Sequence, residues 1–205
     1  MEVWRLVTKN YFVKFEVQGK AAMFTRPDTG STPVSYPVPT YSAAKGMFES
    51  VARIKSAFIR PIKVEICSPI IYQRYFSNYR GPLKKQNTPN FQLAATVLSD
   101  VCYKIYGVVE ELKPSPNRNN HLHALQEIFE RRLDQGRFFY TPCLGWKDFA
   151  PCYFGKVRDS TQVDKSINIE IPSMLYTMFD KQGHGKINPL FKQNVKINEG
   201  VLVYD

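Results

Sequence analysis

Cysteine is sparse. Cys67, Cys102, Cys143 and Cys152 are the four present, and no two stand in a C-x-x-C arrangement. His121, His123 and His184 do not complete a zinc-binding pattern with them. The thiols read as core or incidental groups in a reducing compartment, and neither a metal nor any other cofactor is expected. Acidic residues are also short: 18 Asp and Glu stand against 28 Lys and Arg, a formal net charge of +10. No acidic cluster has the spacing for two-metal chemistry, and no Gly-x-x-x-x-Gly-Lys-Ser/Thr loop is present for nucleotide hydrolysis. No apolar run approaches the roughly 18 residues that cross a bilayer. The first nine residues lack the apolar stretch and small-residue cleavage site of a secretion signal. A cytoplasmic protein with no membrane partner is expected.

What is present points to a polyanion. The basic excess creates a long-range field that favours a negatively charged partner, and 205 residues at 43% hydrophobic composition can bury a core without staples. From Tyr11 to Gln18, Val13, Phe15 and Val17 alternate with Lys14, Glu16 and Gln18, which predicts a half-buried strand that Gly19 interrupts. Prolines 27, 33, 37 and 39 then demand an extended loop. Thr40 is placed to cap a helix whose stripe is Ala43, Ala44, Met47, Phe48, Val51 and Ala52. A second strand is expected within 59–71, and a long central strand or a bent strand pair over 91–110. A helix follows over 122–135, with Gly136 as its stop. The tail reads as short strands near 149–157, 166–171 and 195–204. The order predicts an α+β fold: a ferredoxin-like, RNA-recognition-like domain over 1–148, with a basic loop insertion, and a small antiparallel C-terminal β-sheet over 149–205.

The inserted loop is the candidate nucleic-acid grip. Tyr72, Tyr75, Phe76 and Tyr79 supply flat rings for unstacked bases, while Arg74, Arg80, Lys84 and Lys85 supply charge for phosphates. Asn78, Gly81 and Pro82 favour a surface loop, although some of the rings could instead fill the core beneath a charged rim. Tyr41 and Lys45, four residues apart on one helix face, suit either an edge contact or a ligand contact. Arg131, Arg132, Arg137 and Lys147 form a second basic group. Its arginines answer either phosphate or the dipole at a helix C-terminus.

His121 and His123 are the candidate acid-base groups. RNA cleavage without metal needs a base for the 2′-hydroxyl proton, a donor for the departing 5′-oxygen and cations around the phosphorane charge. Histidine exchanges protons near neutrality. The competing role for one of the pair is to cap the helix.

With these segments placed, the sequence resembles the fifth family of CRISPR-associated proteins, in its subtype I-C (Dvulg) branch. The resemblance is carried by Ala22–Pro27, by Tyr36–Ser50, by Ala94–Val101, by Ile128–Gly136 and by Pro142–Phe149. It implies a ferredoxin-like domain joined to a small C-terminal sheet. It also implies a protein that holds the repeat-derived 5′ handle of CRISPR RNA at one end of a type I interference complex, beside the large subunit and a backbone subunit. Target DNA is then met only through the complex. The branch further implies metal-independent cleavage of precursor CRISPR RNA, leaving a 5′-hydroxyl and a cyclic phosphate. Its usual tyrosine after the Glu49–Ser50–Val51 stretch is Ala52 here, and its Lys-His pair aligns with Asn120 and His121.

Overall fold

Alternation governs the first strand, β1 (Phe12–Ala22), in which Val13, Phe15 and Val17 are buried on one face. The computed structural model describes residues 10–79, 91–112, 120–179 and 187–204, and only the backbone of Asn78, Tyr79, Phe91 and Phe179. Gly19 does not break β1. It stays in register with Val101 because a Cβ there would collide with the Leu144 side chain, so the glycine makes room for a packed leucine rather than a turn. The proline-rich stretch is a loop with one 3-10 turn at Pro27–Thr29.

Thr40 caps helix α1 (Tyr41–Val51), its hydroxyl accepting from the Ala43 amide at 3.2 Å. Strand β2 (Ala57–Ile66) shifts register between Pro61 and Lys63, where a proline without an N–H is accommodated at a bulge. The described part of the segment expected to be a basic surface loop is instead strand β3 (Ile71–Tyr79), paired antiparallel with the first half of β4 (Phe91–Glu111). Pairing with β4 forms the strand, in which Arg74 is the one cation. Helix α2 (His121–Asp134) ends before Gly136, which adopts φ +60°.

After α2 come the short β5 (Tyr153–Gly155), then β6 (Ile169–Phe179), β7 (Ile187–Asn198) and β8 (Val201–Val203). The described strands form one antiparallel sheet in the order β5-β1-β4-β2-β8-β7-β6, with β3 on β4. β4 is its spine. β1 lies along one side, and β2 and β3 follow one another along the other side. Between the two lies Asp100, whose φ of 48° bends the strand.

Both helices cover one face. Phe15 meets the Phe48 ring edge-on at 4.9 Å, and Phe129 closes the triangle. On the opposite face the segment after β5 is strapped down by charge. The buried Glu16 carboxylate accepts from the Arg158 backbone amide and Nε, each at 2.9 Å, and from the Thr161 hydroxyl at 2.8 Å. The Lys104 ammonium donates to the Thr161 carbonyl at 2.6 Å. The C-terminal strands are tied to the proline-rich loop by the Tyr204 hydroxyl, which donates to the Pro39 carbonyl at 2.7 Å.

Candidate nucleic-acid interface

Strand geometry divides the aromatic segment between two faces. Tyr72, Arg74 and Phe76 share one, and all three are exposed. Burial pushes the Tyr72 hydroxyl up from its ordinary value, partly offset by the Arg26 guanidinium. Tyr75 turns the other way and is half-buried, its ring edge-on to Phe149 at 5.2 Å, while Phe149 stacks on Trp146. Of the expected four-ring grip, the described side chains place two rings and one arginine on this face, and Tyr75 belongs to the packing beneath it. The Tyr79 side chain and Arg80, Lys84 and Lys85 lie outside the described residues.

Tyr41 is no open stacking platform. It is buried, and its ring is covered by Tyr176 at 4.2 Å in a parallel stack. Its hydroxyl is pushed well above its ordinary range, first by burial. Lys45 remains accessible, 3.7 Å from the Glu49 carboxylate and 5.3 Å above the Phe58 ring.

The histidines sit where β4 ends and α2 begins. Asn120, not a histidine, caps the helix: its Oδ1 accepts from the His123 amide at 3.1 Å, and its Nδ2 donates to the Tyr11 hydroxyl. The His121 side chain is only 17% exposed, with Nε2 3.3 Å from Glu111 Oε1 at the end of β4. That spacing suits an ion pair, but the buried nitrogen makes no aligned hydrogen bond. His123 is exposed, with Nε2 3.0 Å from Glu127 Oε1 and its ring 5.6 Å from that of Tyr11.

Glu111 also lines a cavity of about 960 Å³ between the end of α1, the start of β2 and the end of β4. Lys45, Arg53 and Lys55 bring positive charge to it, Glu49 and Glu110 join Glu111 in bringing negative charge, Phe58 and Phe139 bring rings, and Ala52 stands in its wall. An imidazole backed by a carboxylate, next to a hollow that holds three cations, can exchange a proton with a ribose hydroxyl while lysine and arginine offset phosphate charge. Lys55, Glu111 and Phe139 carry no spacing signal in the sequence; only the fold brings them together. The aromatic strip and the histidines lie at opposite ends of β4: Tyr72 is opposite Leu98, 13 residues before Glu111, up to about 40 Å along a strand.

The second basic group also divides. Arg132 donates to the Val51 carbonyl at 3.0 Å and so serves the C-terminus of α1. Arg131, Arg137 and Lys147 are exposed and form no ion pair among the described residues. Among those residues no group of three or more His, Cys, Asp or Glu side chains is gathered to hold a metal ion, and no helix is long and apolar enough to cross a membrane.

A family model described as "CRISPR-associated protein (Cas_Cas5)", of Cas5d type, matches residues 12–194. The chain belongs to the Cas5d family. Two curated Cas5d relatives carry the name CRISPR pre-crRNA endoribonuclease. The one from Thermus thermophilus is 32% identical over 212 residues, covering 93% of this chain and 90% of its own. The one from Mannheimia succiniciproducens is 28% identical over 211 residues, covering 90% and 91%. Solved structures share the fold at low identity. A crystal structure titled as a CRISPR-associated protein superposes with a TM-score of 0.70 at 18% identity, covering 95% of this chain and 91% of its own. SMU1763c from Streptococcus mutans gives 0.68 at 17%, covering 96% and 92%. A chain of a CRISPR RNA-guided surveillance complex gives 0.54 at 12%, covering 95% and 91%.

Proposed function

We propose that this Cas5d protein, of the subtype I-C branch, cleaves precursor CRISPR RNA without metal and then retains the repeat-derived 5′ handle at one end of a type I interference complex. The order β5-β1-β4-β2, with helices on the β1-to-β2 and β4-to-β5 connections, reads as a ferredoxin-like domain into which β3 is inserted. In this proposal residues 1–148 are the RNA-binding domain and 149–205 the smaller β domain. The large and backbone subunits are the protein partners, target DNA is reached through them, and the cytoplasm is the site of action.

The observation that carries the cleavage reading is His121 against Glu111 at the border of the cavity that holds Lys45, Arg53 and Lys55. The names of the two curated relatives support it. In this reading His121 takes the 2′-hydroxyl proton and Glu111 steadies the imidazolium that forms. The 2′-oxygen attacks phosphorus, the 5′-oxygen departs, and Lys45, Arg53 and Lys55 offset the phosphorane charge. Ala52 leaves no phenol on that wall, so proton transfer falls to the imidazoles, with His123 the candidate donor to the leaving oxygen. Cleavage of repeat RNA in chelator is the test. His121→Ala should slow single-turnover cleavage by roughly 10²-fold or more, and a 2′-deoxy sugar at the scissile nucleotide should stop it. Undiminished cleavage by both His121→Ala and His123→Ala would remove the assignment.

A further inference from the structure

The sheet face turned away from α1 and α2 carries side chains that the cleavage chemistry leaves unused. Phe15 points at the helices, so alternation sends Phe12 and Lys14 to the other side. Strand register places Lys14, Tyr106 and Lys63 in one row across β1, β4 and β2, with Phe12, Val108 and Arg60 in the next. Phe12 is 56% exposed on that face, a large ring in water beside lysines. The Lys63 ammonium is held 4.1 Å above the Tyr106 ring. Lys14 is exposed and forms no ion pair among the described residues.

Nearby carboxylates are mostly engaged. Glu65 faces Lys63 and the Tyr106 hydroxyl, Glu110 pairs with Arg60 and Asp134 with Lys156. Glu130, on the α2 side of the edge, has no ion pair among the described residues and leaves a negative charge opposite Lys14. β5 pairs with β1 only at Glu16–Gln18, so the β1 edge is uncovered by β5 from Phe12 to Lys14. A cavity of about 580 Å³ opens at that edge, between Phe12, Lys14, Ile62 and Tyr106 of the sheet and Glu130, Leu133 and Asp134 of α2. The next residue, Tyr11, faces His123.

We propose that this sheet face is a single-stranded RNA platform on which a base stacks on Phe12, Lys14 takes the adjoining phosphate, and the strand crosses the β1 edge toward the histidines. Exposed rings on central strands with lysines alongside suit unpaired bases, and the chain's net charge of +10 complements the phosphates. The path rests on the cleavage reading; the platform itself does not.

Fluorescence anisotropy on the full chain separates the two, with labelled repeat RNA made uncleavable by a 2′-deoxy scissile nucleotide. Phe12→Ala should weaken binding about fivefold or more. Lys14→Glu should weaken it and reduce the dependence on salt, while Lys165→Glu, the same charge change at an exposed site elsewhere, should do neither. Parental affinity in Phe12→Ala and Lys14→Glu, or equal losses in Lys14→Glu and Lys165→Glu, would overturn the platform whatever His121→Ala does to cleavage. If His121→Ala cleaves normally while Phe12→Ala binds weakly, the platform stands and the active-site assignment falls.

Discussion

Gly145 adopts φ +88°, and a Cβ there would drive into the Met23 carbonyl. The flanking Leu144 carbonyl accepts from the Met23 amide at 2.9 Å, so the clash cannot be relieved without breaking that tie. Gly145→Ala should therefore cost more than about 1 kcal/mol, read from the midpoint of urea unfolding. Individual residues were unevenly legible. Thr40 announced itself as a cap because a hydroxyl before an apolar stripe has one obvious use. Asn120 did not, because two histidines beside it invited a chemical reading, yet its amide secures α2 and leaves both imidazoles free of the capping task.

At the scale of elements, the strap over the sheet depends on one carboxylate. Burial works to raise the pKa of Glu16, but the hydrogen bonds from Arg158 and Thr161 outweigh it and hold the group below its ordinary 4.5. A carboxyl depressed by folding contributes stability above its unfolded pKa and loses it as pH falls through the folded value. In Arg158→Met burial would dominate and raise that pKa. The variant should be less stable than the parent near neutrality, with the deficit narrowing on acidification as Glu16 takes up a proton. Thermal unfolding between pH 3 and 7 checks this; a pH-independent deficit would contradict it. β3 shows why an element can be misread: cations and tyrosines in succession resemble a loop when counted, and become a strand once alternate side chains are sent to alternate faces. Its pairing partner begins about a dozen residues later in the sequence, across a stretch rich in turn formers, so the hairpin left little local trace. The cavity beside His121 left none, because its walls come from α1, β2, β4 and Phe139.

For the whole molecule, charge and sheet topology set the expectations. RNA affinity should fall linearly with the logarithm of salt concentration, by about 0.7 per neutralised phosphate on a single strand. Joint replacement of Tyr72 and Phe76 by Ala should lower affinity for long repeat RNA while leaving single-turnover cleavage of saturating RNA unchanged, since that strip lies at the far end of β4 from His121. Equal loss of both activities would mean that the two ends act as one site. The α+β class, the two helices and the long bent strand were readable from periodicity. The continuous sheet was not, because β8 is three residues long and joins β2 by pairing with Lys63–Glu65, far back in the chain.

The central position of β4 also bears on biosynthesis. Phe12 pairs with Val108, so β1 leaves the ribosome 96 residues before its partner is made. At ordinary elongation rates that is a wait of roughly 5–20 s. During it the apolar face of Val13, Phe15 and Val17 lacks its β4 partner, so slower translation of residues 91–111 should prolong its exposure and lower soluble yield.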